Sequence, residues 1–216
     1  MNRAALLLQN PAMKRVMDIV FSIAVLLITS PVFLAIAIVI RMNDSGPVFY
    51  RQERIGKDLK RFNIIKFRTM TNDDKPVTQR SKIKKHDYRI TKIGKFLRNS
   101  SLDELPQFMN VITGEMSIVG PRPLLCAQAE YYLQHVPSYN ERHLVKPGIT
   151  GLVQISDLRS EIRPREQNKR LKLDIYYINN WSIWLDIFII IKTIAMLWPR
   201  YTSSVAIYGS GNREAQ

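Results

Sequence analysis

The sequence predicts an α+β protein attached to a membrane, with one long apolar segment followed by a basic, mostly helical domain that contains a small β-hairpin. The segment from Ile19 to Ile40 is 22 residues long and holds no charged residue. The 216-residue chain has a net charge of +14, and the stretch from Arg51 to Arg98 holds 16 Lys and Arg against 5 Asp and Glu. A charge surplus this large indicates an anionic partner: nucleic acid, anionic lipid or a phosphate-rich substrate.

Length and composition exclude several classes of protein. The chain is long enough for one domain of ordinary size, and an apolar fraction of 46% allows a buried core. Cys126 is the single cysteine, which excludes an internal disulfide and a cysteine-rich zinc module. The histidines His86, His135 and His143 form no close metal-binding pair.

The apolar segment is long enough to cross a membrane, but a proline interrupts it. As a straight helix it would extend about 33 Å, slightly more than a bilayer core of about 30 Å. Pro31 follows Ser30 near the centre, and a proline there removes the hydrogen bond to the Leu27 carbonyl. The hydroxyl of Thr29 or Ser30 can satisfy the carbonyl that is freed. We therefore expect at least a kink at this position.

Basic residues lie on both sides of the apolar segment. Lys14 and Arg15 precede it, and Arg41, Arg51 and Arg54 follow it. Positive charge on both flanks gives the positive-inside rule no asymmetry by which to orient a spanning helix. The residues alone leave two arrangements open, a tilted span and a re-entrant hairpin that returns to the same face of the membrane.

After the membrane segment, the patterns predict a small α+β unit. Two β-branched and aromatic runs, Pro47–Glu53 and Arg61–Thr69, flank Gly56-Lys57-Asp58 and predict a β-hairpin. The polar stretch from Asn72 to Arg89 has no periodicity and predicts a loop. Apolar residues at helical spacing predict two helices, Leu97–Ile112 and Leu124–Val136.

Near the end of the chain, Asn180–Trp198 predicts an amphipathic helix that lies in the membrane interface, with a core-facing helix as the alternative. One face is polar and the other apolar, with Ser182, Asp186 and Thr193 opposite Trp184, Ile187, Ile191 and Trp198. The polar stretch 201–216 predicts a flexible tail.

Two adjacent carboxylates, Asp103 and Glu104, are the candidate chemical groups in the middle of the chain. Either Ser101 caps a helix with Glu104 at its third position, or Asp103 is the cap and Pro106 lies in the first turn. Both alternatives place the carboxylates at a helix N-terminus, which favours their ionised form, and Arg98 nearby would lower their pKa further. An ionised Asp in this setting can bind Mg²⁺ or attack phosphorus.

Four motifs follow the kinked apolar helix in order: Lys66-Phe67-Arg68-Thr69-Met70, Ser101–Gln107, Gly120-Pro121-Arg122-Pro123 and Pro147–Gly151. Together they resemble the bacterial sugar transferase family, the monotopic phosphoglycosyl transferases that act on polyprenyl phosphates. The resemblance covers about residues 13 to 200. The chain looks like the minimal single-domain form, without the additional N-terminal membrane helices that some members carry.

The resemblance implies a transferase that moves a sugar 1-phosphate from a UDP-sugar to undecaprenyl phosphate and releases UMP. It also implies Mg²⁺ as cofactor, a covalent aspartyl phosphosugar intermediate and a role in the first membrane step of bacterial glycoconjugate synthesis. It places the protein at the cytoplasmic face of the inner membrane and favours the re-entrant hairpin, broken at Ser30-Pro31. The implied organisation is a membrane segment over 1–41, a cytosolic catalytic domain over 42–200 and a tail over 201–216.

The resemblance also assigns roles to single residues. Asp103 is the implied nucleophile, Glu104 its helper, and Asp174 the acidic residue before the Tyr176-Tyr177 pair. Arg122 is the implied nucleotide-binding residue, and Asp103 and Asp174 are the implied metal ligands. The implied substrate-binding residues are mostly basic or belong to the Pro-Arg-Pro turn: Lys66, Arg68, Arg98, Pro121, Arg122, Pro123 and Asp174.

Two stretches depart from the family pattern. Leu152 and Val153 stand where the family usually has Trp-Ala before a glutamine, which is Gln154 here. The stretch 156–172 is more highly charged than the pattern leads us to expect and includes Arg159, Arg163 and Arg165. We expect these stretches to face the sugar, whose identity the sequence does not determine.

Two other functions compete with this one. A membrane-associated glycosyltransferase would release UDP instead of UMP, so the product distinguishes the two enzymes. A membrane-tethered nucleic-acid-binding protein would account for the charge of +14 but not for the Asp-Glu pair or the Pro-Arg-Pro turn. We therefore expect anionic lipid headgroups, and no nucleic acid, as partners besides the two substrates. The sequence also allows a homodimer.

Overall fold

The computed structural model describes residues 11–43, 46–71, 89–156, 158 and 164–211. The helices of this part are α1 Pro11–Asn43, α2 Lys92–Ser100, α3 Gln107–Thr113, α4 Cys126–His135, α5 Pro164–Asn179 and α6 Ile183–Gly211. Its strands are β1 Phe49–Ile55, β2 Arg61–Phe67, β3 Ser117–Val119, β4 Leu124–Leu125 and β5 Gly148–Thr150. Three 3₁₀ turns, Lys57–Leu59, Leu102–Glu104 and Tyr139–Leu144, lie between them.

The predicted β-hairpin is confirmed. Strands β1 and β2 pair antiparallel, from Phe49 opposite Phe67 to Ile55 opposite Arg61, and β4 pairs with the other edge of β1. The connecting turn holds Asp58 in the left-handed region at φ 53°, a conformation that Asp adopts more readily than most residues. The hairpin therefore carries Lys66 near the end of its second strand.

The core lies where the hairpin meets helices α3, α5 and α6 and the short parallel β3–β5 pair. Val111, Met116 and Ile189 are completely buried in it. Asn110 of α3 joins the core to the hairpin, because its side-chain amide donates to Asn63 O at 2.8 Å and accepts from Ile65 N at 3.0 Å. A buried side chain bonded in this way fixes α3 against β2.

Helix α1 contains Ser30-Pro31 and continues as a single helix on both sides of it, so the expected break at this pair is not confirmed. The hydroxyl of Ser30 donates to the Leu27 carbonyl at 2.8 Å, and that of Thr29 donates to Val25 O at 2.7 Å. Ser30 thus satisfies the carbonyl that Pro31 leaves without its helical donor, as the sequence predicts. Among the described residues, α1 is the one helix long and apolar enough to cross a membrane.

Both ends of α1 pack on the rest of the protein, whereas the part around Leu27 and Ile28 is exposed. Near the N-terminal end, buried Asp18 accepts from Ser117 Oγ and Ile118 N, each at 3.0 Å. Near the other end, buried Ile36 and Ile40 belong to a second apolar cluster with Phe67 and Leu97. The most exposed apolar residues between these ends are Leu27 and Ile28, at 68% and 79%.

The structure corrects the predicted helix over Leu97–Ile112. Helix α2 ends at Ser100, the 3₁₀ turn Leu102–Glu104 follows, and α3 begins only at Gln107. Neither predicted cap is present, since no side chain caps the 3₁₀ turn or α3. Pro106 precedes α3 directly, where its missing N–H breaks no helical hydrogen bond.

Helix α6 covers most of the predicted helix Asn180–Trp198. Asp186 and Ile189 are buried and Thr193 bonds to Thr150 at 2.6 Å, so the side that packs on the protein is both polar and apolar. Trp184 and Ile191 are exposed at 79% and 60%. The backbone of α6 continues to Gly211, beyond residue 201, where the sequence predicts that a tail begins.

Several predicted features lie outside the described residues. They include most of the loop over 72–89, Arg159, Arg163 and the side chain of Arg165. Leu152 and Val153 are half-buried near the end of β5.

Candidate active site

The segment between α2 and α3 brings both predicted carboxylates to Lys66. Ser101 ends α2 in the left-handed region at φ 60°, a conformation that is uncommon for residues other than glycine and recurs at functional sites. The 3₁₀ turn that follows holds Asp103 and Glu104 against β2. Lys66 Nζ lies 2.8 Å from Glu104 Oε1 and 3.9 Å from Asp103 Oδ2.

Arg122 reaches the same carboxylate from the Gly120–Pro123 turn. Its Nη2 donates to Glu104 Oε1 at 2.8 Å, so one carboxylate oxygen accepts from two cations. The Arg122 side chain is 49% exposed, which leaves its guanidinium accessible to an anionic ligand. Glu104 thus joins two cationic side chains that are far apart in sequence.

The two loops predicted separately, Gly120–Pro123 and Pro147–Gly151, form one unit. Gly148 N donates to Pro121 O at 2.9 Å, and Gly120 N donates to Thr150 O at 2.8 Å. A Cβ on Gly148 would overlap the Gly120 nitrogen, so this approach of two backbones requires glycine. The unit holds Arg122 at the site.

Glu104 is a fixed anion. Burial acts to raise its pKa, but the charges of Arg122 and Lys66 and their hydrogen bonds outweigh burial and lower the pKa of Glu104 to about 2. Glu104 in turn raises the pKa of Arg122. Because this carboxylate stays ionised at neutral pH, it orients the two cations and cannot donate a proton.

Asp103 has the opposite electrostatic character. Burial raises the pKa of Asp103 to about 6, Lys66 and Arg98 oppose the shift, and the adjacent Glu104 charge adds to it. The prediction that both carboxylates have a lowered pKa is therefore wrong for Asp103 and confirmed for Glu104. A carboxylate that is costly to ionise and poorly solvated is also a more reactive nucleophile once it is ionised.

Arg98 lies near the dyad without bonding to it in the described structure. Its Nε donates to the buried Thr69 hydroxyl at 2.7 Å, and its charge lowers the pKa of Asp103. Arg98 therefore adds a third positive charge that acts on Asp103.

Among the described residues, no contact joins Arg68 or Asp174 to the dyad. Arg68 is buried beside Gly46 and lines a small cavity with Ile40 and Thr91. Asp174 is buried in an ion pair with Arg142, at 2.9 Å. The predicted metal site that combines Asp103 with Asp174 therefore has no described contact that joins its two ligands.

The Asp103-Glu104 pair by itself fits what Mg²⁺ requires. Asp103 Oδ2 lies 3.9 Å from Lys66 Nζ, and the described residues donate no hydrogen bond to this carboxylate, so it could also bind a cation. In the described part of the chain, no group of three or more His, Cys, Asp or Glu side chains could hold a metal. Mg²⁺ commonly uses only one or two protein carboxylates and completes its shell with water and substrate phosphates.

Sequence reasoning missed two arginines behind the site. Arg142 Nη2 donates to the Arg122 carbonyl at 2.9 Å, and Arg54 Nη1 donates to the Pro123 carbonyl at 3.3 Å. Neither arginine belongs to a motif that we recognised. The signal available in the sequence was indirect, because a turn with two prolines lacks backbone donors and needs donors from elsewhere.

The site combines the Asp103-Glu104 dyad with the cationic side chains of Lys66 and Arg122, in a chain whose helix α1 is long and apolar enough to cross a membrane. The sequence profile of the bacterial sugar transferases matches residues 9–200. The chain belongs to this family.

Three relatives show what the chain is similar to. It is 48% identical over 189 residues to the UDP-glucose:undecaprenyl-phosphate glucose-1-phosphate transferase of Klebsiella pneumoniae, a match that covers 86% of this chain and 40% of the relative. It is 41% identical over 186 residues to the exopolysaccharide production protein PSS of Rhizobium leguminosarum bv. phaseoli, covering 84% and 93%. It is 38% identical over 199 residues to the UDP-N-acetylgalactosamine-undecaprenyl-phosphate N-acetylgalactosaminephosphotransferase of Aeromonas hydrophila, covering 89% and 46%. The chain thus spans less than half of the Klebsiella and Aeromonas relatives.

Proposed function

We propose that this chain transfers a sugar 1-phosphate from a UDP-sugar to undecaprenyl phosphate and releases UMP. The observation that carries the proposal is the dyad, in which Asp103 has a pKa of about 6 beside Glu104, the anion that holds Lys66 and Arg122. The relatives from Klebsiella and Aeromonas are named for this transfer with two different sugars. They support the reaction type and leave the choice of sugar to experiment.

The chemistry proceeds in two steps. The cations of Lys66, Arg98 and Arg122 offset the negative charge of the diphosphate, which an anionic nucleophile could not otherwise approach. Ionised Asp103 attacks the phosphorus that carries the sugar, a bond forms from Asp103 oxygen to phosphorus, and the bond to the bridging oxygen breaks as UMP leaves. The phosphate of undecaprenyl phosphate then attacks the same phosphorus and releases the Asp103 carboxylate.

A covalent intermediate separates the two anionic substrates in time. Direct transfer would require the UDP-sugar and the lipid phosphate together beside the two carboxylates. Mg²⁺ bound by Asp103 and Glu104 would supply additional positive charge for the diphosphate. Asp103 supplies the attacking oxygen, and Glu104 holds the cations in place.

The test is the release of UMP from purified protein in detergent, using a panel of UDP-sugars. With the right sugar and no lipid acceptor, one equivalent of UMP per protein should appear in a burst, and undecaprenyl phosphate should start turnover. Release of UDP would establish the glycosyltransferase alternative. If UMP appears only after the lipid is added, and no phosphosugar is attached to Asp103, the covalent step is wrong.

We further propose that both ends of α1 lie at the cytoplasmic face of the inner membrane. The packing of Asp18 near one end and of Ile40 near the other on the same protein body supports this re-entrant topology. The exposed middle at Leu27 and Ile28 would then enter the bilayer. Exposed Trp184 and Ile191 support an interfacial position of α6, because tryptophan and isoleucine on an outward face are typical of helices that lie on a membrane.

Cysteine labelling in inverted and right-side-out vesicles tests the topology. In a Cys126→Ser background, Ala12→Cys and Asn43→Cys should both react with a membrane-impermeant reagent from the cytoplasmic side and neither from the periplasmic side. The pair forms its own control, since a spanning helix would expose the two positions on opposite sides. That result would disprove the re-entrant arrangement.

Replacing Arg122 with alanine should raise KM for the UDP-sugar by about tenfold or more, at least as much as it lowers kcat, because a charged hydrogen bond to the nucleotide is lost. Arg122→Lys should restore the activity only in part, since an ammonium cannot bind phosphate in the bidentate manner of a guanidinium. Steady-state kinetics of both variants decide this. An unchanged KM in Arg122→Ala would remove the nucleotide-binding role.

The rate should also depend on pH in a specific way. Protonated Asp103 is not a nucleophile, so kcat/KM should fall below about pH 6, close to the pKa of this carboxyl. The slope should correspond to one proton, because Glu104, with a pKa of about 2, stays ionised over the same range. A kcat/KM that stays constant from about pH 8 to about pH 5 would contradict the assignment of the nucleophile.

A further inference from the structure

The Gly120–Pro123 turn has few backbone N–H groups that could form hydrogen bonds within the turn. Pro121 and Pro123 have no N–H. Three successive carbonyls of the turn instead accept hydrogen bonds from other elements: Pro121 O from Gly148 N at 2.9 Å, Arg122 O from Arg142 Nη2 at 2.9 Å, and Pro123 O from Arg54 Nη1 at 3.3 Å. The direction in which the Arg122 side chain leaves the turn therefore depends on donors that lie behind it.

Arg142 is a buried donor with several partners. Its side chain is 5% exposed and lies in the 3₁₀ turn Tyr139–Leu144. Its Nε and Nη2 contact Asp174 Oδ2 at 3.0 and 2.9 Å, and Nη1 donates to Tyr139 OH at 3.1 Å. Because the guanidinium is planar and rigid, Asp174 and Tyr139 together fix the direction of the N–H group that reaches the Arg122 carbonyl.

Stability alone does not account for this arrangement. A buried ion pair contributes little net stability, because the desolvation of both charges offsets most of their attraction. The pair lies directly behind Arg122, whose side chain contacts Glu104 of the dyad. A continuous set of contacts thus runs from Asp174 through Arg142 to Arg122 and the dyad.

We propose that Arg142, oriented by Asp174, is a positioning residue that directs Arg122 toward the diphosphate of the UDP-sugar. The proposal rests on the proposed function of Arg122. It gives Asp174 a different role from the predicted one: Asp174 acts through Arg142 and contacts neither the substrate nor a metal. Tyr139 contributes by holding the third nitrogen of the same guanidinium.

The Arg142→Lys variant tests the proposal with little disturbance of charge. An ammonium keeps the positive charge beside Asp174 but cannot contact Asp174, Tyr139 and the Arg122 carbonyl at once. We expect the dissociation constant for UDP, measured by calorimetry, and KM for the UDP-sugar each to rise about tenfold, the size of one lost charged hydrogen bond, with a smaller change in kcat. A folded Arg142→Lys protein with unchanged UDP affinity would overturn the proposal.

Two further variants separate positioning from folding. Ser182→Ala removes the hydroxyl that accepts from Leu185 N at 3.1 Å at the start of α6, has no described contact with Arg122 or Arg142, and should lower the melting temperature without a change in UDP affinity. The double variant Arg142→Met with Asp174→Leu replaces the ion pair by apolar side chains of similar size. It should fold and still show the loss of UDP affinity, and if it binds UDP normally the proposal fails.

A double-mutant cycle shows whether Arg142 acts through Arg122. In an Arg122→Ala background, Arg142→Lys should cost almost no further UDP affinity, because there is no guanidinium left to direct. Independent, additive losses would contradict the proposal. A wild-type protein that neither binds UDP nor releases UMP would contradict the proposed function instead, which distinguishes the two failures.

Discussion

Replacing Asp103 with asparagine should lower turnover by about three orders of magnitude or more, because the amide has nearly the same shape but lacks the nucleophilic oxygen. The burst of UMP in the absence of lipid should disappear as well. UDP should still bind, since Lys66, Arg122 and Glu104 keep their contacts. The activity assay and the binding assay therefore respond differently to this single change.

The same substitution should stabilise the protein at neutral pH. Burial raises the pKa of Asp103 from 3.8 to about 6, so the folded state holds this proton more tightly than the unfolded state. The stability that this provides is fully present below about pH 4 and is lost as the pH rises through about 6. Asparagine has no charge to desolvate, and the gain above pH 6 is at most about 3 kcal/mol.

Unfolding experiments in detergent at about pH 8 and about pH 4 measure this effect. The Asp103→Asn protein should melt at a higher temperature than the wild type at the higher pH, and the difference should vanish at the lower pH. Asp58→Asn is the matched control, because Asp58 is exposed in the hairpin turn. An Asp103→Asn protein that is less stable than the wild type at neutral pH would show that this carboxylate is not desolvated. Normal turnover by the same variant would show that it is not the nucleophile.

Replacing the neighbouring Glu104 with glutamine should have the opposite effect on stability and also reduce activity. The Glu104 charge holds Lys66 and Arg122 on one oxygen, and without it both cations lose their common anion. We expect kcat/KM to fall by about two orders of magnitude, the size of a lost preorganised charge in an active site. Asp103 and Glu104 are adjacent in sequence. Opposite stability changes in Asp103→Asn and Glu104→Gln would therefore reflect the different surroundings of the two carboxylates.

The sign of the stability change follows from the lowered pKa of Glu104, from 4.5 to about 2. A lowered pKa stabilises the folded state above about pH 4.5, and this stability is lost as the pH falls through about 2. The Glu104→Gln protein should therefore be less stable than the wild type at neutral pH by at most about 3 kcal/mol. Glu53→Gln is the matched control, because the Glu53–Arg61 pair is exposed on both sides and contributes little. Equal melting temperatures for wild type and Glu104→Gln would contradict this prediction.

Much of the site could be predicted from the sequence. The family resemblance assigned Lys66, Arg122 and the two carboxylates to one site, and the structure brings these residues together. Arg98 acts on Asp103 through its charge, whereas Arg68 and Asp174, which were assigned to the same site, have no described contact with the dyad. The β-hairpin was also predicted, because two β-branched and aromatic runs that flank a turn sequence are typical of paired strands. The prediction of one helix over Leu97–Ile112 was wrong. Ser101 adopts a left-handed conformation that ends the first helix, and the spacing of apolar residues does not reveal such a conformation.

The sequence by itself determined the family, the apolar helix with its Ser-Pro pair and the identity of the dyad. Only the tertiary structure decided that the pKa of Asp103 is raised while that of Glu104 is lowered. It also decided that Asp174 pairs with Arg142. The physical reason is that a pKa and the direction of a side chain depend on burial and on partners that are distant in the chain. Arg122 and Lys66 approach Glu104 from a separate loop and a separate strand, and a local pattern of residues contains no record of such contacts.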